Sequence, residues 1–138
     1  MDHYGLIGQK LSHSFSESYF AEKFQSDAIS ASYGLFEIDT LENLNSFALD
    51  KKLKGFNVTI PFKQEILPIL DSIDAAAEEI GAVNCVSVKN GMLRGYNTDA
   101  FGFEMSLKSF YSNVKGNALI LGNGGSSQAV QYVLKQNQ

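Results

Sequence analysis

Gly55-Phe56-Asn57-Val58-Thr59-Ile60-Pro61-Phe62-Lys63 is the stretch on which the reading of this chain turns. The β-branched run Val58, Thr59, Ile60 predicts a strand, and Pro61, which has no N–H to donate to a ladder, ends it. Proline suits the first position of a helix, so a strand-to-helix junction is expected at Pro61. Open α/β sheets gather their ligands at the carboxyl ends of strands, and Asn57, Thr59 and Lys63 crowd such an end here. Lys63 has two readings. It is a solvated residue in a first helical turn, as most lysines are. Alternatively, flanked by Phe62 and Ile66, it is partly desolvated and acts as an acid/base group.

Working outward, residues 4–8 predict a short buried strand and residues 9–13 a polar, irregular connection. A helix is expected from Ser14 or Ser16 to about Gln25, with Phe15, Tyr19, Phe20 and Phe24 on one side. Residues 31–38 read as a second strand with Tyr33, Leu35 and Phe36 packing inward. Thr40 is placed to cap a further helix with a Leu41, Leu44, Phe47, Ala48 stripe. After the focal strand come a helix interrupted near Pro68 and another over 71–80, closed by Gly81. Residues 82–88 and 92–96 flank Lys89-Asn90-Gly91 and predict a hairpin, since Asn-Gly is a strong tight-turn signal. Asn97-Thr98-Asp99 is expected to cap a helix over 100–111 that packs through Phe101, Met105, Leu107 and Phe110. Residues 112–117 read as a linker and 118–121 as a strand. That strand runs into Gly122-Asn123-Gly124-Gly125-Ser126-Ser127 and a helix over 128–136, with Val130, Val133 and Leu134 on one face.

A chain of 138 residues with 44% hydrophobic and 19% charged residues suits a globular protein with a real core. A net charge of −4, with no basic cluster longer than the Lys51-Lys52-Leu53-Lys54 patch, argues against nucleic-acid binding. The single cysteine, Cys85, lies in an apolar run and reads as a buried, inert thiol; an internal disulfide is ruled out. No apolar run approaches the roughly 18 residues of a membrane span, and no signal peptide opens the chain, so a cytoplasmic protein is expected.

Several polar clusters carry candidate chemistry. Ser14 and Ser16, two hydroxyls at a helix entrance, are placed to hold a carboxylate, although Ser14 and Glu17 also satisfy a capping box that needs no ligand. His13 reads as a structural hydrogen-bonding residue rather than a base. Asn84 is an amide inside an apolar strand and must find partners, either backbone or ligand. Asp99 is explained by capping alone, yet an aspartate beside a lysine would hold the ammonium and supply a proton acceptor. The pattern Gly122-x-Gly124-x-x-Ser127, between a strand and a helix, is the context of the dinucleotide fingerprint. Gly124 there would admit a pyrophosphate close to the backbone, and Ser127 supplies the small third residue. The expected fold class is α/β: a mixed parallel and antiparallel sheet with flanking helices, followed by the first β-α unit of a Rossmann-like domain.

Taken in order, Gly8…His13-Ser14-Phe15-Ser16, Asn57-Val58-Thr59-Ile60-Pro61-Phe62-Lys63, Gly81-Ala82-Val83-Asn84, Gly95-Tyr96-Asn97-Thr98-Asp99 and the glycine turn resemble the shikimate dehydrogenases. The resemblance implies an NADP-dependent oxidoreductase of aromatic amino-acid biosynthesis that interconverts shikimate and 3-dehydroshikimate. It implies that Ser14 and Ser16 hold the substrate carboxylate, and that Thr59, Asn84 and Asp99 bind ring hydroxyls. Lys63 would be the acid/base group, positioned by Asp99, while Asn57 shapes the strand. Gly122, Asn123, Gly124, Gly125, Ser126 and Ser127 would bind NADP, and no metal is called for. Glu17, and Lys10 or Leu11, stand where many members have proline.

The resemblance also implies that residues 1–111 form the substrate domain and that 112–138 are the incomplete start of an NADP domain. On that reading the chain resembles half of a family member and is not expected to turn over alone. A binding-only module and a quinate-using relative are the alternatives. Self-association through the incomplete C-terminal unit is expected, because residues 118–121 and 130–134 lack their usual neighbours.

Overall fold

The computed structural model describes residues 1–111 and 116–137; most of the expected linker, residues 112–115, lies outside them. Six strands form one sheet in the order β2-β1-β3-β5-β6-β4. They are β1 (Asp2–Gly8), β2 (Ala31–Glu37), β3 (Leu53–Val58), β4 (Ser72–Ile73), β5 (Cys85–Lys89) and β6 (Met92–Tyr96). β1 runs parallel to β2 and β3, β5 is antiparallel to β3 and β6, and β4 is parallel to β6. The sheet is therefore mixed, as expected. The hairpin between β5 and β6 closes on Asn90 and Gly91, at φ 53° and 78°. Two successive positive φ values suit the right-handed twist of a two-residue hairpin, and Asn-Gly reaches them most cheaply.

Helices cover both faces. Alternation along β3 sends Phe56 and Val58 into the main core with Ile7, Phe62, Ile66 and Val86, while Asn57 points the other way. Helices α2 (Leu44–Asp50) and α3 (Phe62–Glu65) contribute to that core. On the opposite face α1 (Ser16–Ser26) lays Phe20 and Phe24 over Leu6, Leu11 and Tyr33, with Phe20 stacked on Tyr33 at 4.4 Å between ring centroids. A third apolar cluster joins α4 (Ala75–Ile80), α5 (Asp99–Phe110) and α6 (Gly125–Gln136) through Ile80, Ala100, Ala129 and Val133.

Several local expectations are corrected. β3 ends at Val58, because the Phe62 N–H already turns back to the Thr59 carbonyl at 3.0 Å. Pro61 precedes α3 instead of opening it, and its bond to Ile60 is cis. Residues 71–73 are not helical. The Asp71 and Asp74 N–H groups bond to Leu93 and Gly95 carbonyls, which makes β4, and the Asp74 side chain then caps α4 through the Ala76 N–H. Thr40 caps nothing; α2 starts later, after Asn43 at φ 42°. The Ser14–Glu17 capping box does not form, because Phe15 occupies the N-cap position of α1.

Two apolar faces also differ from expectation. Phe15 and Tyr19 are exposed on α1. On α5, Phe103 and Leu107 pack against the third cluster while Phe101, Met105 and Phe110 face outward. That helix is apolar on several sides, so period alone did not select the packed one. Residues 118–121 are not a strand. A strand exists only by pairing, and Leu119 and Leu121 stand 87% and 90% exposed with no neighbour strand among the described residues.

Candidate active site

The carboxyl ends of the parallel strands β1 and β3 lie side by side, and the loops leaving them wall a cleft of about 680 Å³. Ser14, Ser16, Thr59, Lys63 and Asn84 all line it. Five of the six residues expected to bind substrate are thus brought together. The sixth, Asp99, is not among the residues lining the cleft but is bonded to Lys63. His13 lies exposed at the same cleft; no hydrogen bond from it appears among the described residues, so its expected structural role is not seen.

The strand-to-helix junction places Lys63. Phe62 and Ile66, both buried, anchor α3 to the core, and the Lys63 carbonyl accepts the Val83 N–H at 2.8 Å. The intervening side chain is thereby directed along the cleft wall and keeps 13% of its area exposed. Its ammonium donates to Asp99 Oδ2 at 2.6 Å and to Ser126 Oγ at 3.1 Å. The reading of Lys63 as an ordinary solvated lysine is set aside by this enclosure.

Asp99 is held in turn. Asn84 Nδ2 donates to its Oδ1 at 2.8 Å and to Thr98 Oγ1 at 2.9 Å, while Asn84 Oδ1 accepts the Thr98 N–H at 2.8 Å. The backbone and side chains that open α5 thus fix the orientation of the amide. Asn97 completes the turn, its Oδ1 accepting the Ala100 N–H at 3.1 Å and its Nδ2 donating to the Ala82 carbonyl. Buried polar networks of this kind fix geometry because every broken member leaves another unsatisfied.

Tyr33 and Glu37 complete the support and were not singled out by the sequence. The Tyr33 hydroxyl donates to Asn57 Oδ1 at 2.7 Å, which orients the Asn57 amide to donate to the Asn84 carbonyl at 3.2 Å. Asn57 thus ties β3 to Tyr33 on one side and to the Asn84 backbone on the other. Glu37, at the end of β2, accepts the Leu11 N–H at 2.7 Å and ties down the loop that carries the two serines. Tyr33 was read as an inward-packing aromatic, and nothing in its local pattern announces a partner 24 residues away. Burial pushes the Tyr33 phenol well above its ordinary value of 10.0. The unfolded chain therefore releases this proton at a lower pH than the folded one, and the associated stability is lost as pH rises above 10. Tyr33→Phe is expected to cost about 1 kcal/mol at neutral pH. It should also flatten the alkaline decline, as read from urea unfolding at several pH values. Burial likewise raises the Cys85 thiol, which agrees with an inert cysteine.

The glycine turn meets Lys63 through Ser126, and none of its residues lines the cleft. Gly122 holds φ 121°, and Gly124 stands before α6 with open space around the position of a Cβ. No side chain caps α6, because Ser127 Oγ donates to the Gly124 carbonyl instead. Uncapped N–H groups at the start of a 12-residue helix, behind a glycine with room beside it, fit a diphosphate group. Among the described residues no cluster of potential metal ligands is present. None of their helices is long and apolar enough to cross a membrane.

Comparison with known proteins agrees with this geometry. Shikimate dehydrogenase (NADP(+)) of Aquifex aeolicus is 46% identical over 134 residues, covering 95% of this chain and 50% of the relative. Shikimate dehydrogenase 1 of Peptoclostridium difficile superposes with a TM-score of 0.94 at 38% identity, over 99% of this chain and 53% of that one. The enzyme from Thermus thermophilus, solved in complex with shikimate, gives 0.86 at 35% identity over 99% and 53%. The chain spans about half the length of the curated relatives it matches. The family model described as the shikimate dehydrogenase substrate binding domain matches residues 6–86, and it is to this family that the chain belongs.

Proposed function

We propose that this chain forms the substrate-holding and proton-transfer half of an NADP-dependent shikimate dehydrogenase, an oxidoreductase interconverting shikimate and 3-dehydroshikimate. The observation that carries the reading is the Lys63–Asp99 pair at 2.6 Å, with Lys63 lining the same cleft as Ser14 and Ser16. Oxidation of a secondary alcohol releases a hydride and a proton. As an ammonium Lys63 gives a proton to the substrate oxygen on reduction, and as the neutral amine it takes that proton back from the hydroxyl on oxidation, with Asp99 holding the lysine head in place. Ser14 and Ser16 hold the substrate carboxylate, while Thr59 and Asn84 bind ring hydroxyls. The nicotinamide cofactor, when bound, accepts the hydride. Gly122 to Ser127 supply the turn that would hold its diphosphate.

We place residues 1–111 in the substrate domain and 112–138 at the start of the nucleotide domain, with the Ile80, Ala100, Ala129 cluster as the seam between them. The exposed Leu119, Leu121, Phe101 and Phe110 support self-association of the 138-residue chain. A lone cysteine supports a cytoplasmic location.

One experiment tests the reading. Shikimate is titrated into the 138-residue chain by calorimetry, with the molar mass followed by light scattering, and NADPH formation is assayed alongside. Binding without turnover, in a species larger than a monomer, is expected. No heat at millimolar shikimate would count against a substrate site, and rapid turnover would show that one helix and one turn suffice for the cofactor.

A further inference from the structure

The glycine turn and the lysine meet in a way that neither the fingerprint nor the substrate reading requires. Gly125, the first residue of α6, lies so close to the Lys63 stem that a Cβ built on it falls 2.6 Å from Lys63 Cβ and 3.1 Å from Cδ. It would also lie 3.4 Å from Ala82 Cβ. The next residue, Ser126, takes a hydrogen bond from the Lys63 ammonium at 3.1 Å. Two adjacent residues of one helix thus touch the same side chain, one along its methylenes and one at its head.

An ammonium has three N–H directions in a tetrahedral arrangement. Asp99 takes one and Ser126 a second, from elements 36 and 63 residues away. With two directions taken, rotation about the last carbon–nitrogen bond is fixed and the third N–H points where those two leave it. Asp99 alone, through one N–H, leaves the head free to pivot about that single contact on its flexible stem; the second bond removes that freedom.

We propose that Ser126 is a positioning residue for Lys63: its hydroxyl gives the ammonium a second anchor that stops the head pivoting about its bond to Asp99 and so holds it at the cleft, and Gly125 lacks a side chain so that α6 can come that close. The proposal rests on the assignment of Lys63 as the proton-transfer group. It leaves the Ser126 backbone in the glycine turn and makes its hydroxyl the link between the nucleotide-side helix and the substrate site.

The test reads the lysine directly, without substrate. In the ¹⁵N-labelled 138-residue chain the Lys63 ammonium resonance is identified by its loss in Lys63→Met, and its exchange with water is measured. Ser126→Ala is expected to speed that exchange roughly fivefold, the equivalent of one net hydrogen bond. Ser126→Thr, which keeps the hydroxyl, should return it to within about twofold of the parent on the same scale. Unchanged exchange in Ser126→Ala would overturn the proposal, as would a threonine that fails to restore it while the rest of the spectrum is native. A Lys63 ammonium exchanging too fast to observe in the parent would also overturn it. Shikimate titration of the same samples keeps the two readings apart. A parent with a protected ammonium but no shikimate binding sinks the substrate assignment and leaves the Lys63–Ser126 link standing.

Discussion

Lys63→Met, introduced into a protein of the relatives' full length that carries this half, is expected to lower kcat by roughly 10²- to 10⁴-fold, the usual range for loss of a general acid or base. Methionine keeps an unbranched stem of similar reach, so the contact with Gly125 and the core beneath α3 survive. What disappears is the group proposed to carry the proton. Shikimate affinity, which the proposed function assigns mainly to Ser14, Ser16, Thr59 and Asn84, should fall by less than about tenfold, the cost of one hydrogen bond. Lys63→Arg is no substitute: the planar guanidinium is wider than an ammonium and must fit between Asp99 and Ser126. Steady-state kinetics and calorimetry on the same preparations separate the two effects. A kcat within about tenfold of the parent, short of the general-acid range, would remove Lys63 from the proton-transfer role.

Asn84→Ala is expected to destabilise the chain by about 1–3 kcal/mol, because the Thr98 N–H loses its acceptor and the Asp99 carboxylate loses a donor. Urea unfolding checks this through a lower midpoint at unchanged slope. Asn84→Asp is the sharper variant. It preserves shape and the acceptor for Thr98, but sets a second carboxylate oxygen where Nδ2 now donates to Asp99 at 2.8 Å. Two carboxylates so close cannot both ionise without cost, so this variant should recover part of its lost stability as pH falls and one of them takes a proton. A loss below about 0.5 kcal/mol in Asn84→Ala, the level of an ordinary surface substitution, would mean the amide is not the keystone of this network.

What could be read from the chain beforehand follows from how local each cause is. The β5–β6 hairpin was legible because Asn90-Gly91 dictates its turn without outside help. Lys63, Asn84 and Asp99 were legible because polar residues in apolar or junction settings demand an explanation, and the family resemblance supplied a common one. Tyr33 was not, since its hydroxyl matters only once Asn57 is brought beside it by β1–β2 and β1–β3 pairing. Thr40 and the Ser14–Glu17 pair had the right spacing for caps, yet Asn43 and Phe15 hold those positions, because buried Leu11 and Leu44 set where each helix can begin. The strand expected over 118–121 failed for a different reason: apolar sequence with a β-branched residue states a preference, and a preference becomes a strand only beside another strand.

One edge of the sheet is β4, and it is two residues long. Strand edges are where foreign chains add, because each exposed N–H and C=O invites a partner. Here the Asp71 side chain accepts the Leu93 N–H at 2.7 Å, and the Asp71 and Asp74 N–H groups bond inward to β6. An intruding strand would find almost no free rungs and two carboxylates beside them. This protein's protection against amyloid-like growth on that side therefore lies in an interrupted helix and a pair of aspartates, and any association it undergoes is steered away from that edge and toward its apolar helix faces.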